Sequence, residues 1–168
     1  MSFRLSAGIV GMLLLLSSGL AAQTLVYERE FSMIAEADNT LRIELAPDGR
    51  LVVERPEFMT WSGRHEFQVS PRRYLALREA FESAYTDTDQ LHDDVQRRAS
   101  NEEWTVTDPE FSRFALVDEA RGPMQQVTAV SLEAWAARFG DDPRLQRLHD
   151  LEVSLFDLMN AQAPEGER

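Results

Sequence analysis

The segment that most constrains the fold is 41–54, which reads LRIELAPDGRLVVE. Apolar and polar residues alternate before and after APDG, and this is the period of a half-buried strand. Pro47 suits the first central position of a turn, and Gly49 can adopt a positive φ. The segment therefore predicts a β-hairpin, so we expect the fold to contain an antiparallel sheet.

Further strands are predicted on both sides of this hairpin. In the first of them Tyr27, Phe31 and Met33 share one side at period two, which predicts a half-buried strand. The segments 112–118 and 124–130 are joined across EARGP as a looser hairpin. The segments concerned are 25–34, 64–70, 103–108, 112–118 and 124–130.

The period changes to that of a helix after Ser70. Ser70 is a good N-cap, Pro71 suits the first helical position, and apolar residues then recur every three or four positions. A later, shorter helix is capped by Ser131 and stopped by Gly140, and a leucine stripe marks a longer one after Asp142. Helices are therefore predicted at about 71–85, 132–139 and 143–161.

These elements predict one α+β domain over 23–161, an antiparallel β-sheet of hairpins with amphipathic helices packed against it. A chain of this length buries enough surface to fold without covalent links. It contains no cysteine, so packing alone must hold it together. The tail 162–168, which reads QAPEGER, has too few apolar residues to bury and is predicted to be disordered.

The order of these elements resembles an uncharacterised family of small exported bacterial domains. The residues that carry the resemblance are the hairpin LRIELAPDGRLVVE, a connection containing glycine, a strand ending in serine, the helix YLALREAF, a TD segment and a closing leucine-rich helix, over roughly 30–158. That family has a Cys-x-Gly-x-Cys-Pro segment before the hairpin, where this chain reads MIAEADNT. The resemblance implies an α+β fold and no particular activity.

The first 22 residues have the layout of a secretory signal peptide. Arg4 begins a short positive segment, an apolar run follows, and the run ends in small residues at 19–22. The run from Ala7 to Ala22 is short of the roughly 20 apolar residues that a membrane-spanning helix needs. We therefore predict a cleaved, exported protein, periplasmic or secreted, without a stable membrane anchor. The alternative is an uncleaved N-terminal anchor.

Charge and missing residue types exclude several kinds of chemistry. The chain has 29 acidic and 17 basic residues, a formal net charge of -12, and every basic residue is arginine. Such a surface disfavours nucleic acids and anionic lipids. Without lysine or cysteine, Schiff-base chemistry, thiol nucleophiles and zinc-thiolate sites are excluded. No cofactor is predicted.

The segment 86–94, TDTDQLHDD, contains candidate metal ligands, namely Asp87, Asp89, His92 and Asp93. It lacks the turn glycine and distant glutamate of a calcium-binding loop. The alternative is an exposed helix that begins at Thr86, with Asp89 completing a capping box. Leu91 and Val95 would then form its narrow contact stripe.

Two further pairs are candidates for contact with a partner. Arg72 and Arg73 lie in the first turn of a helix, where cations are unfavourable, so they could bind a carboxylate or phosphate of a partner. The alternative is that nearby acids pair with them. Phe58 and Trp61 lie in an irregular connection, where exposed rings would form a contact surface. They could equally cover the edge of the core.

The sequence supports three functional hypotheses. The first is a non-enzymatic protein-contact module of the cell envelope, with another envelope protein as its partner. The alternative is an envelope protein that responds to a small ligand or a divalent cation. The third is a hydrolase that uses a pair of carboxylates, since an acidic chain always offers such pairs.

Overall fold

The computed structural model describes residues 23–34 and 38–164. The predicted signal peptide, 1–22, lies outside these residues. The strands are β1 (Gln23–Phe31), β2 (Thr40–Leu45), β3 (Arg50–Arg55), β4 (Gly63–Gln68), β5 (Glu110–Asp118) and β6 (Gly122–Val130). The helices are α1 (Pro71–Tyr85), α2 (Leu91–Asn101), α3 (Leu132–Arg138) and α4 (Pro143–Asn160).

The six strands form one antiparallel sheet in the order β4-β3-β2-β1-β5-β6. Tyr27 of the central strand β1 pairs with Ile43 of β2 on one side and with Phe114 of β5 on the other. The predicted α+β class, with hairpins and packed helices, is confirmed. The strand order places β4 and β6 at the two edges, so among residues 23–34 and 38–164 the partly exposed β4 has a neighbouring strand on one side only.

The two faces of the sheet differ in what they contact. Tyr27 and Phe114 lie on the face that packs into the core together with the apolar stripes of the helices. The opposite face carries charged side chains that pair within and across strands, namely Glu28, Arg42, Glu44 and Arg113. The helices therefore position buried groups against one face and leave the other as a charged surface.

The predicted hairpin of β2 and β3 is confirmed, and its turn has the expected chemistry. The Gly49 amide donates to the Ala46 carbonyl at 2.9 Å. Gly49 has a φ of 88°, which glycine adopts without the strain that a side chain brings. Asp48 Oδ1 accepts from the Arg50 amide at 2.9 Å and fixes the start of β3.

The helices α1 and α4 follow the sequence pattern closely. Ser70 caps α1 and Asp142 caps α4, each accepting a hydrogen bond from a first-turn amide. The stripe of α1 is buried, and so is that of α4, except that Leu158 is half-buried and Met159 is buried instead. Ser131, however, makes no side-chain cap and has a φ of 48°, so its predicted capping role is wrong.

The predicted strand at 103–108 is wrong. Glu103 and Asp108 have φ angles of 50° and 63°, which an extended strand cannot accommodate. The amides of Glu102, Glu103 and Trp104 donate back to carbonyls at the end of α2. Because these donors are already used, the segment continues as an irregular connection over the end of that helix.

Two other local predictions are corrected. The helix after α1 begins at Leu91 and not at Thr86, because Thr86 ends α1 and donates to the Glu82 carbonyl at 3.1 Å. Its contact stripe of Leu91 and Val95 is buried, so it packs into the core more fully than predicted. Met33 lies beyond the end of β1 and is 67% exposed, not half-buried.

The chain is well packed as far as its last described residues. Ala163 is 2% exposed, so packed structure continues beyond the predicted domain end at 161. The final part of the predicted tail, 165–168, lies outside the described residues. Within the described residues no helix is both long and apolar enough to cross a membrane.

Candidate functional site

Phe58 and Trp61 lie in the connection between β3 and β4, as candidates for an exposed contact surface. Phe58 is 43% exposed and meets Phe31 edge-on, with ring centroids 5.3 Å apart. Trp61 is half-buried, and the guanidinium of Arg55 lies 5.2 Å from its ring centroid. Both rings therefore touch the edge of the core and also face solvent.

The aromatic surface continues along the edge strand. The ring of His65 lies 4.5 Å from that of Trp61 between centroids, and Phe67 lies 5.7 Å from Trp61. His65 and Phe67 share one side of β4, opposite Val53 and Leu51 of β3. We call Phe58, Trp61, His65 and Phe67 the aromatic edge. Phe58 is exposed, the other three are half-buried, and all four lie on or beside the edge strand β4.

Arg72 and Arg73 are exposed in the first turn of α1, as predicted, and neither pairs with an acid within the described residues. Their backbone amides, however, already donate to Ser70, to its side chain and its carbonyl respectively. Two of the first-turn amides that an anion could contact are therefore already used. These arginines also lie past the opposite end of β4 from Trp61, about 20 Å away along a six-residue strand.

The candidate metal ligands are not assembled into a site. Asp87 has a φ of 64° in the turn between α1 and α2, while His92 lies in the first turn of α2 with its ring 5.8 Å from that of Trp135. Asp89 and Asp93 are both exposed. Among residues 23–34 and 38–164, no three acids, histidines or cysteines are grouped so that they could hold a metal ion.

The sequence reasoning missed a buried polar cluster around Glu152. Glu152 of α4 is 2% exposed, and its Oε1 accepts hydrogen bonds from the Tyr27 hydroxyl and from Ser112 Oγ, each at 2.6 Å. These donors come from β1 and β5. Glu152 interrupts the leucine stripe four residues after Leu148, and a lone acid on an apolar face was the available signal.

Two groups in and beside this cluster, Tyr27 and Arg29, have shifted pKa values. Burial and the neighbouring Glu152 carboxylate raise the pKa of the Tyr27 phenol far above its usual value of 10, so it remains a donor. Arg29 lies nearby and donates to Glu110 from Nε at 2.7 Å. Burial acts to lower the pKa of Arg29, but the hydrogen bond that Arg29 donates to Glu110 and the surrounding negative charge outweigh it and raise that pKa.

Two concave spaces lie beside the connection that follows α2. The smaller has a volume of about 340 Å³ and is lined in part by Arg29, Ser112 and Glu152. The larger has a volume of about 610 Å³ and is lined in part by Trp104 and Trp135. Neither was foreseen from the sequence, because the intervening segment was predicted to be a strand.

Comparisons with protein-family models, with curated proteins and with solved structures give no match. The resemblance to exported bacterial domains therefore stays a prediction. Function must be inferred from the surfaces and clefts of the chain itself.

The buried cluster links secondary-structure elements through hydrogen bonds. Tyr27 is 0% exposed and Ser112 is 3% exposed, although Ser112 also lines the smaller cavity. A carboxylate that accepts two hydroxyl donors is satisfied on one oxygen, and this compensates for its burial. The cluster therefore ties β1, β5 and α4 together. The aromatic edge, by contrast, combines partly exposed rings with an edge strand.

Proposed function

We propose that this chain is an exported, non-enzymatic contact module of the cell envelope that binds another envelope protein through the aromatic edge. The observation that carries the proposal is the concentration of partly exposed rings beside the open side of β4. Aromatic side chains are enriched where proteins bind one another, because they bury a large area with little loss of conformational freedom.

The edge strand supports a particular mode of contact. An extended segment of a partner can add to an open strand edge through main-chain hydrogen bonds, while pockets for alternate side chains give specificity. His65 and Phe67 alternate with Arg64 and Glu66 along β4. A partner segment with alternating apolar and polar residues would match that pattern.

Arginine adjoins the rings at the same edge. The Arg55 guanidinium lies over Trp61, and Arg64 Nη1 contacts Glu54 at 2.6 Å. Arginine is also favoured at protein interfaces, where its planar head group stacks on rings and pairs with carboxylates. The proposed contact therefore includes these arginine head groups beside the rings.

The test is site-specific photocrosslinking in the source cell. A photoreactive phenylalanine analogue placed at Phe58 is expected to give one defined adduct with an envelope protein, and Trp61→Ala is expected to abolish that adduct. Met124, which is 48% exposed on the opposite edge strand β6, is the matched position for the control. N-terminal sequencing of the adduct should show that 1–22 have been removed.

Three outcomes would contradict the proposal. They are recovery of monomer alone, equal adducts from positions 58 and 124, and an adduct that persists in folded Trp61→Ala protein. Circular dichroism of Trp61→Ala must first show native melting, so that loss of the adduct reports the contact and not unfolding.

A further inference from the structure

The larger cavity, about 610 Å³, has the size of a small-molecule site. It lies between α2, the irregular connection 102–109 and the edge strand β6, away from the aromatic edge on β4. We call it the tryptophan cavity. It shares no lining residue with the aromatic edge.

Aromatic rings form much of the wall of the tryptophan cavity. The lining includes Trp104, Trp135, Phe111 and His92. Trp104 is supported from behind by Phe139, which it meets edge-on with centroids 5.7 Å apart. Phe111 is 38% exposed, so one wall remains open to solvent. Such rings offer π faces that attract a desolvated cation.

The charges around the cavity favour a cationic ligand. Glu103 also lines the cavity, and none of the described residues that line it is an arginine. Within the described residues Glu103 forms no ion pair, whereas its neighbour Glu102 contacts Arg138 at 2.5 Å. The carboxylate that lines the cavity is thus available, while the one beside it is neutralised. The cavity also adjoins the C-terminal end of α2, the negative end of the helix dipole.

The backbone places these groups together. Glu103 has a φ of 50°, and the Trp104 amide donates to the Ala99 carbonyl at 2.9 Å. This turn folds the chain back over the end of α2 and brings Trp104 beside the cavity. A residue held in the left-handed region needs support from surrounding structure, and such residues are frequent at ligand sites.

We propose that the tryptophan cavity binds a small organic cation with an apolar body, such as an alkyl- or arylammonium ion. The rings would contact the apolar body and the cationic head, and Glu103 would supply the opposite charge. The net charge of -12 favours the approach of any cation to this protein.

The three tryptophans make the test site-specific. Trp61→Phe protein retains only Trp104 and Trp135, both of which line the cavity. Titration with benzyltrimethylammonium is expected to change their emission saturably. Benzyl alcohol should bind more weakly and benzenesulfonate should not bind. Protein with Trp104→Phe and Trp135→Phe retains only Trp61, whose emission should not change.

Matched substitutions at two adjacent glutamates test which carboxylate contributes to cation binding. Glu103→Gln is expected to raise the Kd for benzyltrimethylammonium about threefold, as the loss of an exposed ion pair does. Glu102→Gln, on the adjacent residue, should leave the Kd unchanged. The proposal is overturned by the absence of saturation, by equal affinity for the sulfonate or the alcohol, by equal effects of the two substitutions, or by an equal response from Trp61.

Discussion

Tyr27 of the central strand β1 donates its phenolic hydrogen to Glu152 of α4 at 2.6 Å, with both side chains almost fully buried. Ser112 of β5 donates to the same carboxylate oxygen. One acid thus joins two strands to the helix that packs over them. Since hydrogen bonds to a charged group are stronger than those between neutral groups, this cluster helps to fix the position of α4 on the sheet.

Tyr27→Phe removes one donor and leaves the ring in place. We expect the free energy of unfolding to fall by about 1.5 to 3 kcal/mol, because the Glu152 carboxylate stays buried with fewer partners. Urea denaturation measures this. Tyr85→Phe is the matched control, since the Tyr85 ring stacks on Phe81 at 5.7 Å but its hydroxyl forms no hydrogen bond within the described residues. Equal losses in the two variants would show that the Glu152 contact is not what matters.

Asp142 is expected to make the stability depend on acid pH. Its side chain accepts from the Arg144 amide at 3.0 Å and pairs with the Arg144 guanidinium, and this interaction lowers the pKa of Asp142. Because the folded-state pKa lies below the unfolded value, the stabilisation is complete above the unfolded value, near 4, and is lost as the pH falls through the folded value.

Asp142→Asn keeps a capping oxygen but has no charge to titrate. Melting temperatures measured from pH 6 to pH 2.5 should therefore fall more steeply for the natural protein than for the variant. The difference at neutral pH should be up to about 1 kcal/mol, the order of the ion pair with Arg144 that the variant loses. Parallel curves for the two proteins would rule out this role for Asp142.

The sequence predicted the elements whose local chemistry and tertiary packing agree. The turn at Pro47 and Gly49, the capped start of α1 at Ser70 and the start of α4 at Asp142 all have short-range signals that the structure confirms. Such signals depend on neighbours in the chain, so a single sequence contains them.

The misses arise where an unforeseen turn at a helix end, or a contact distant in sequence, decides the outcome. Apolar and polar residues alternate over 103–108 as in a strand. However, the amides of Glu103 and Trp104 donate hydrogen bonds to carbonyls at the end of α2. Glu152 meets Tyr27 across 125 positions, and no local pattern specifies which strand an inward-facing acid will contact. The tryptophan cavity depends on both effects, because Trp104 reaches it only through the unforeseen turn.

Ser131 has a φ of 48°, and its buried Oγ has no hydrogen-bond partner within the described residues. Ser131→Gly removes both the unsatisfied hydroxyl and the side chain that disfavours this backbone conformation. We expect the variant to gain up to about 1 kcal/mol, measured by urea denaturation. Ser154→Gly is the contrasting control in the interior of α4, where glycine should cost about 1 kcal/mol. Destabilisation of Ser131→Gly by as much as the control would contradict this reading.

Gly49 and Gly63 have nearly the same φ, 88° and 92°, but different surroundings. A Cβ at Gly49 would lie 2.1 Å from the Val69 carbonyl oxygen, whereas a Cβ at Gly63 would meet nothing within 4 Å. Gly63→Ala therefore measures the left-handed strain alone, about 1 kcal/mol.

Gly49→Ala adds a collision with the backbone beside the β2–β3 turn, which the chain can relieve only by shifting the segment between β4 and α1. We expect Gly49→Ala to lower the free energy of unfolding by at least 2 kcal/mol more than Gly63→Ala. Similar losses, measured by urea denaturation, would mean that this segment yields readily and does not hold the hairpin in place.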